Sequence, residues 1–220
     1  TVSVKFSNSN DETDAAKKWG RGRSERRPMS GRRGARAIRA KRIWETPRKM
    51  AEIAVFNGAF QKISELGWLV ALLRRRKVRT VVEIGTYRGG TLWLWCQLAK
   101  EDAHIVSISL PAKTYAGRQR QGKLRNCAIA TQRLNFIWSD SQQRATRTQL
   151  ARVLDGDTID FLFIDGEHRY RAVRRDFELY SPLVRSGGLV ALHDILHHPR
   201  QPNNQVERYW HELKKDYETK

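Results

Sequence analysis

Five short apolar or β-branched runs, each followed by a longer helical pattern, leave this 220-residue chain very few ways to fold. The runs are Thr80–Ile84, His104–Leu110, Asn135–Trp138, Ile159–Ile164 and Leu189–Leu192. Strands that alternate with helices of about 10 to 15 residues predict a parallel sheet with right-handed crossovers and a helix layer on each face. Ile159-Asp160-Phe161-Leu162-Phe163-Ile164 is almost wholly apolar and reads as a central strand. Helical patterns are expected over about Ala116–Gln132, Gln142–Leu154, Tyr170–Arg185 (Val173, Phe177, Tyr180 and Val184 on one face, ended by Gly187-Gly188) and Asn204–Tyr217. Upstream, Thr46 is placed to cap a helix with Pro47 at its first position, and a second helix is expected from about Ala59 to Arg76. The expected organisation is a basic tail over 1–43, helices over 44–78 and a doubly wound α/β domain over 79–220.

The first run leads into a glycine-studded turn, Glu83-Ile84-Gly85-Thr86-Tyr87-Arg88-Gly89-Gly90-Thr91. Glycines there allow a ligand to approach the backbone, and the following helix presents its amino end, so the stretch reads as the opening of a nucleotide-type site. Tyr87 fills the slot where a dinucleotide fold carries another glycine, which argues against a pyrophosphate on the turn. A tight strand-to-helix turn without a ligand is the plainer alternative.

Composition adds a charge constraint. There are 42 Lys and Arg against 23 Asp and Glu, a balance of +19, and residues 1–50 hold 15 basic and 5 acidic side chains. Such a field favours anionic partners. Residues 1–43 contain little that could be buried and read as a mobile tail, either a nucleic-acid arm of no sequence preference or a solvated extension. Cys96 and Cys127 show no metal-ligand spacing, no run approaches the ~20 apolar residues of a membrane span, and no secretory signal is seen. A reduced, cytoplasmic protein is expected.

In an open parallel sheet, ligands collect beyond the carboxyl ends of the strands. Here those positions hold Glu83–Gly89, Ser109, Asp140-Ser141, Asp165-Gly166-Glu167-His168 and His193-Asp194. Neighbouring strands would bring Asp165 close to His193 and Asp194, a set able to hold a hard divalent cation such as Mg²⁺, with His168 or a carboxylate taking a substrate proton. The alternative makes Asp165 and Asp194 helix caps and His168 a turn residue.

Taken in order, Glu83–Thr91, Ser139-Asp140-Ser141, Ile164–Tyr170, Pro182–Leu189 and Leu192-His193-Asp194 resemble the class I S-adenosylmethionine-dependent methyltransferases, in the branch called methyltransferase family 24 with its cephalosporin hydroxylase-like members. The resemblance spans about residues 60–217 and implies a Rossmann-like sheet. It implies a cofactor site lined by Glu83, Gly85, Thr86, Tyr87, Arg88, Gly89 and Thr91, by Ser109 where relatives carry an acid, by Asp140 and Ser141 on the adenine side, and by Asp165 beside the methyl donor. It also implies a Mg²⁺ site at Asp165, His193 and Asp194, with His193 where relatives often carry an acid. Members normally end with two more strands, which this sequence lacks after its last helix. An open sheet edge would favour association, so a homo-oligomer is expected.

The function expected is transfer of a methyl group to a hydroxyl of a small molecule, a sugar or natural product, with Asp165 and His168 as the catalytic pair and Mg²⁺ assisting. An RNA methyltransferase using the basic tail, and a non-catalytic binding or assembly protein on the same fold, are the alternatives.

Overall fold

The computed structural model of the chain describes residues 2–5, 45–129, 131–197 and 199–219. Among the described residues seven strands form one sheet: β1 (Val2–Lys5), β2 (Thr80–Ile84), β3 (His104–Ser109), β4 (Arg133–Trp138), β5 (Ile159–Ile164), β6 (Val184–Leu192) and β7 (Glu218–Thr219). Their order across the sheet is β4-β3-β2-β5-β6-β1-β7, and the five from β4 to β6 run parallel. The order reverses between β2 and β5, which leaves a crevice at the carboxyl ends of these strands.

The helices are α1 (Pro47–Phe56), α2 (Ile63–Arg74), α3 (Gly90–Leu98), α4 (Tyr115–Lys123), α5 (Arg144–Leu154), α6 (Tyr170–Tyr180) and α7 (Val206–Asp216). Strand side chains alternate between the faces, so each strand feeds two cores. Val81, Phe161, Phe163, Leu189 and Ala191 pack with α1, α2 and α3. Val82, Ile84, Leu162, Ile164, Val190 and Leu192 pack with α5, α6 and α7. The doubly wound α/β expectation is met.

Local chemistry sets the element ends. The Thr46 hydroxyl accepts from the Lys49 N–H at 3.1 Å, capping α1 as expected, with Pro47 in the first turn. The second helix starts at Ile63 rather than Ala59, and Gly58–Lys62 runs as an irregular segment. The basic stretch after β3 shortens to α4 and a 3₁₀ turn over Leu124–Cys127. Helix α6 ends at Tyr180, before the expected Arg185, because Pro182 has no N–H to continue the ladder; Val184 already belongs to β6. Gly187-Gly188 therefore lies within a strand and not at a helix stop. Gly187 adopts a φ of 70°, and the β5–β6 register shifts beside it, between Ile159 and Phe161.

Two short strands complete the sheet edge, one from the amino end of the chain and one directly after α7, where none was expected. Val2–Lys5 pairs antiparallel with Leu189–Leu192, and Glu218–Thr219 pairs antiparallel with Val4 and Lys5. The free edge of β6 that motivated the homo-oligomer expectation is thus paired, and that argument for association falls. Val2–Lys5 is strand where a tail was expected; the rest of the tail, through Ile43, lies outside the described residues.

Candidate active site

The sheet ladder continues one residue past the parallel strands. Gly85 N–H donates to the Ile108 carbonyl at 2.9 Å, Asp165 N–H to Ile84 at 2.9 Å and His193 N–H to Ile164 at 3.1 Å. Gly85, Asp165 and His193 therefore stand side by side on one lip. Above them opens a cleft of about 930 Å³, near the upper end of the range for small-molecule sites. Its walls include Gly85, Thr86, Tyr87, Thr91, Ser109, Asp140, Ser141, Asp165, His168, His193 and Asp194. Most of the residues named from the sequence meet in one cavity.

Three of them do not line it. Arg88 is exposed and its guanidinium lies 5.2 Å from the Tyr87 ring centroid, while Gly89 is buried with a φ of 88° under Leu124. Glu83 is also absent from the walls, for a reason of strand parity. It shares a face with Val81, so its side chain enters the α1–α3 core, where Oε1 accepts from Trp95 Nε1 at 2.9 Å. Burial pushes its carboxyl up to about 7, although the Thr91 and Thr86 hydroxyls and Trp95 oppose the rise. Trp95 is itself fixed between Phe161 and Phe163, with ring centroids 5.0 Å away in both cases.

Packing within the protein accounts for Gly85 before any ligand is considered. Its φ is 87°, and a Cβ there would lie 1.9 Å from the Asp165 carbonyl oxygen. The turn is tight because the ends of β2 and β5 touch. Tyr87 takes the left-handed region at φ 45°, and its exposed ring meets Phe60 edge to face at 5.3 Å, forming an apolar rim on the mouth.

Asp165 is contacted from three sides. Its Oδ1 faces His193 Nδ1 at 3.0 Å and His168 Nε2 at 3.3 Å, and its Oδ2 accepts from Gln61 Nε2 at 2.6 Å. Burial alone would raise the Asp165 carboxyl, but His168 and His193 outweigh it and hold it below the ordinary value. Conversely, the hydrogen bond to Asp165 raises His168 against its own burial. Asp194, at φ 59°, sets its Oδ1 3.2 Å from His193 Nδ1 and its Oδ2 3.4 Å from His168 Nδ1, and Asn204 Nδ2 donates to Oδ2 at 2.9 Å. The capping alternative fails here, since the residues at the caps of α6 and α7 are Arg169 and Gln205. On the far wall, Asp140 Oδ1 accepts from the Gln142 N–H at 2.9 Å and Tyr180 Oη donates to the Ser141 carbonyl at 2.7 Å.

The expected metal set was Asp165, His193 and Asp194. Ligand atoms of Asp165, His168 and His193 all lie within 4.8 Å of one another, and Asp194 Oδ1 stands 3.2 Å from His193 Nδ1 beside them. Gln61 and Asn204 were missed altogether. Gln61 is 6 % exposed, and its Oε1 has no hydrogen-bond partner among the described residues. It comes from the irregular segment before α2, where no periodic pattern marks a functional position.

The lining is acidic in a strongly basic chain: Glu65, Asp140, Asp165, Glu167 and Asp194 face it, and Lys62 is the one Lys or Arg in the walls among the described residues. Among the described residues no helix is long and apolar enough to cross a membrane.

Comparisons with known proteins agree with this architecture. The methyltransferase-domain family model matches residues 82–195. Two curated relatives, an uncharacterized protein of Sinorhizobium fredii and one of Acanthamoeba polyphaga mimivirus, are 27% identical over 150 residues and 34% identical over 117 residues. These alignments cover 66% and 52% of this chain but only 16% and 51% of the relatives, so the chain spans at most about half the length of either. A solved caffeoyl-CoA O-methyltransferase-type protein from Staphylococcus aureus superposes with a TM-score of 0.54 at 19% identity, covering 78% of this chain and 83% of that one. The MycE methyltransferase of mycinamycin biosynthesis, solved with Mg and S-adenosylhomocysteine, superposes at 0.51 with 18% identity, covering 78% of this chain and 48% of that one. The sheet is that of the class I methyltransferases, and with the family model spanning more than half of its length, including every strand end that builds the cleft, the chain belongs to the methyltransferase-domain family.

Proposed function

We propose that the chain binds S-adenosylmethionine in this cleft and transfers its methyl group to a hydroxyl of a small molecule. The acidic lining supports this reading above all. A sulfonium and an ammonium are complementary to Asp140, Asp165 and Glu65, whereas a phosphate backbone would meet several carboxylates and, among the described residues, a single lysine. The cofactor fits the site in two further respects: the cavity has room for a nucleoside beside an acceptor, and the orphaned Gln61 Oε1 offers an acceptor for a buried N–H or O–H. When bound, S-adenosylmethionine supplies the electrophilic methyl.

The protein's own part is positioning and proton transfer. Asp140 and Ser141 bracket the far end of the cleft, and Thr86, Thr91 and the Gly85 turn form the near wall. His168 is 35 % exposed at the mouth and reachable by an acceptor hydroxyl. With Nε2 donating to Asp165, Nδ1 takes the proton once this nitrogen leaves Asp194 Oδ2, 3.4 Å away, and the Asp165 carboxylate stabilises the imidazolium so formed. Alignment of donor and acceptor supplies much of the remaining rate.

The resemblance implies Mg²⁺ as well. Magnesium prefers oxygen ligands in octahedral geometry, and two of the three converging side chains here are imidazoles, so the donor set suits it poorly and no step depends on it. The basic tail could still attract nucleic acid, but it lies outside the described residues and the cleft chemistry does not favour RNA as acceptor. A test offers methyl-labelled S-adenosylmethionine to catechols, sugars, macrolide-type polyols and bulk RNA. Label should enter a hydroxyl compound, and His168→Ala should slow that transfer by about 10²–10⁴-fold. Label entering RNA alone would overturn the proposal.

A further inference from the structure

The donor set that disagrees with magnesium is organised for a different ion. We propose that Asp165, His168 and His193 form a two-imidazole, one-carboxylate site for a borderline divalent transition metal of the Zn²⁺ or Co²⁺ class.

The geometry argues for it. His193 Nδ1 and His168 Nε2 lie 3.0 and 3.3 Å from the same Asp165 oxygen, Oδ1. Ligand atoms held about 2.1 Å from an ion are about 3.0 Å apart along an octahedral edge and about 3.4 Å along a tetrahedral one. The two spacings to Asp165 match such edges, and with one ligand atom of each residue within 4.8 Å of the others, an ion can be placed among the three side chains. Imidazole nitrogen favours zinc, cobalt, iron and nickel over magnesium, and affinity along the first row rises toward copper.

The surroundings argue for it independently. A metal-bound histidine usually gives its other nitrogen to a carboxylate, which fixes ring and tautomer. The second nitrogen of His168, Nδ1, faces Asp194 Oδ2 at 3.4 Å, and Asn204 steadies that same carboxylate oxygen at 2.9 Å. The second oxygen of Asp165, Oδ2, accepts from Gln61 at 2.6 Å, leaving Oδ1 toward the two rings. Asp194 thereby orients His168 through Oδ2, while its Oδ1, 3.2 Å from His193 Nδ1, borders the same site. His193 and Asp165 have side chains 10 % and 15 % exposed, and His168 at 35 % opens the site to the cleft, which provides an entry path and a face for exchangeable ligands.

The site stands on these side chains and not on the cofactor beside them. It also limits His168: with Nε2 bound to the ion, Nδ1 carries the ring proton toward Asp194, so this residue serves as the base only in the metal-free protein.

Chelator-stripped protein is titrated by calorimetry with Co²⁺, Zn²⁺ and Mg²⁺, with the visible d–d absorption of Co²⁺ as a second readout. One equivalent of Co²⁺ or Zn²⁺ should bind at least about 100-fold more tightly than Mg²⁺. His168→Gln and His193→Asp should each abolish most of that preference, and Asn204→Ala should weaken Co²⁺ by about tenfold or more through Asp194. Circular dichroism confirms that each variant is folded. Equal affinity for Mg²⁺ and Co²⁺, a Co²⁺ spectrum unchanged in folded His168→Gln and His193→Asp, or no uptake at all would overturn the proposal, the last leaving the two histidines as hydrogen-bond partners of Asp165. A parallel titration of the stripped protein with S-adenosylmethionine reports on the cofactor separately.

Discussion

Asp176 should make the protein less stable as the pH rises from about 4 toward neutrality. It sits on α6 with 0 % exposure, and its carboxylate oxygens make no close hydrogen bond among the described residues, with the Ser141 hydroxyl as a weak neighbour. A Cβ on Gly166 would come within 3.2 Å of its Oδ2, so the group is wedged beneath the loop that carries Asp165. Burial raises the carboxyl from 3.8 to about 7; the Ser141 hydroxyl opposes the rise, and Asp140 and Glu167 add to it. A raised carboxyl keeps its proton in the folded state after the unfolded chain has released it. The folded state therefore binds more protons between about pH 4 and pH 7, and its stability declines across that window before levelling off. At about 1.4 kcal/mol per pH unit the full effect approaches 4 kcal/mol, an upper bound because relaxation and water entry reduce it. About 3 kcal/mol of this falls between pH 5 and pH 8. Asp176→Asn keeps the shape and removes the titration, so its stability relative to the parent should improve by about 2–3 kcal/mol on going from pH 5 to pH 8. With a urea slope of about 2 kcal/mol/M, the midpoint difference between variant and parent should grow by about 1 M or more. A variant shift of the same size at both pH values would refute the reasoning.

Other outcomes follow from single contacts. Gly85→Ala places a Cβ against the Asp165 carbonyl and a non-glycine residue at φ 87°, so the end of β5 must shift; a loss above about 3 kcal/mol is expected in denaturant unfolding, and a loss below about 1 kcal/mol would mean the turn adapts freely. Asp160 accepts the Arg79 and Thr80 N–H groups at 2.6 and 3.0 Å and Arg185 Nε at 2.5 Å, tying together the starts of β2, β5 and β6. Asp160→Ala should cost about 1–3 kcal/mol, read as a fall in thermal midpoint. Trp95→Phe removes the indole donor to Glu83 Oε1 and should cost about 2–4 kcal/mol, combining a weakened buried carboxyl network with a small cavity; a neutral result in urea unfolding would show that Thr86 and Thr91 suffice.

How much of this could be read from the sequence differs by element. The parallel sheet was legible because β2, β3, β5 and β6 are runs that only a strand covered on both faces explains. Asp140, Asp165, His168, His193 and Asp194 were legible as a set because parallel topology sends every strand end to one rim. Glu83 was placed in the cofactor wall although its parity with Val81 already directed it into the α1–α3 core; motif spacing overrode the period-2 rule. The end of α6 was misjudged because the amphipathic pattern runs through Pro182 to Val184 without a break. The β1 and β7 pairings were not legible, since four residues and two residues carry no alternation long enough to register and their partners are distant in the chain. Gln61 and Asn204 reach Asp165 and Asp194 from irregular segments, where only the tertiary fold assigns a direction.

The central claim is that this acid-lined cleft at the strand ends holds S-adenosylmethionine. Calorimetric titration of the full chain with S-adenosylmethionine, alongside Asp140→Ala and Asp165→Ala variants shown to be folded, addresses it most directly. One molecule should bind per chain, with affinity falling by about tenfold or more in each variant as a charged contact is lost. No heat from well-folded parent protein, or equal affinity in all three, would contradict it.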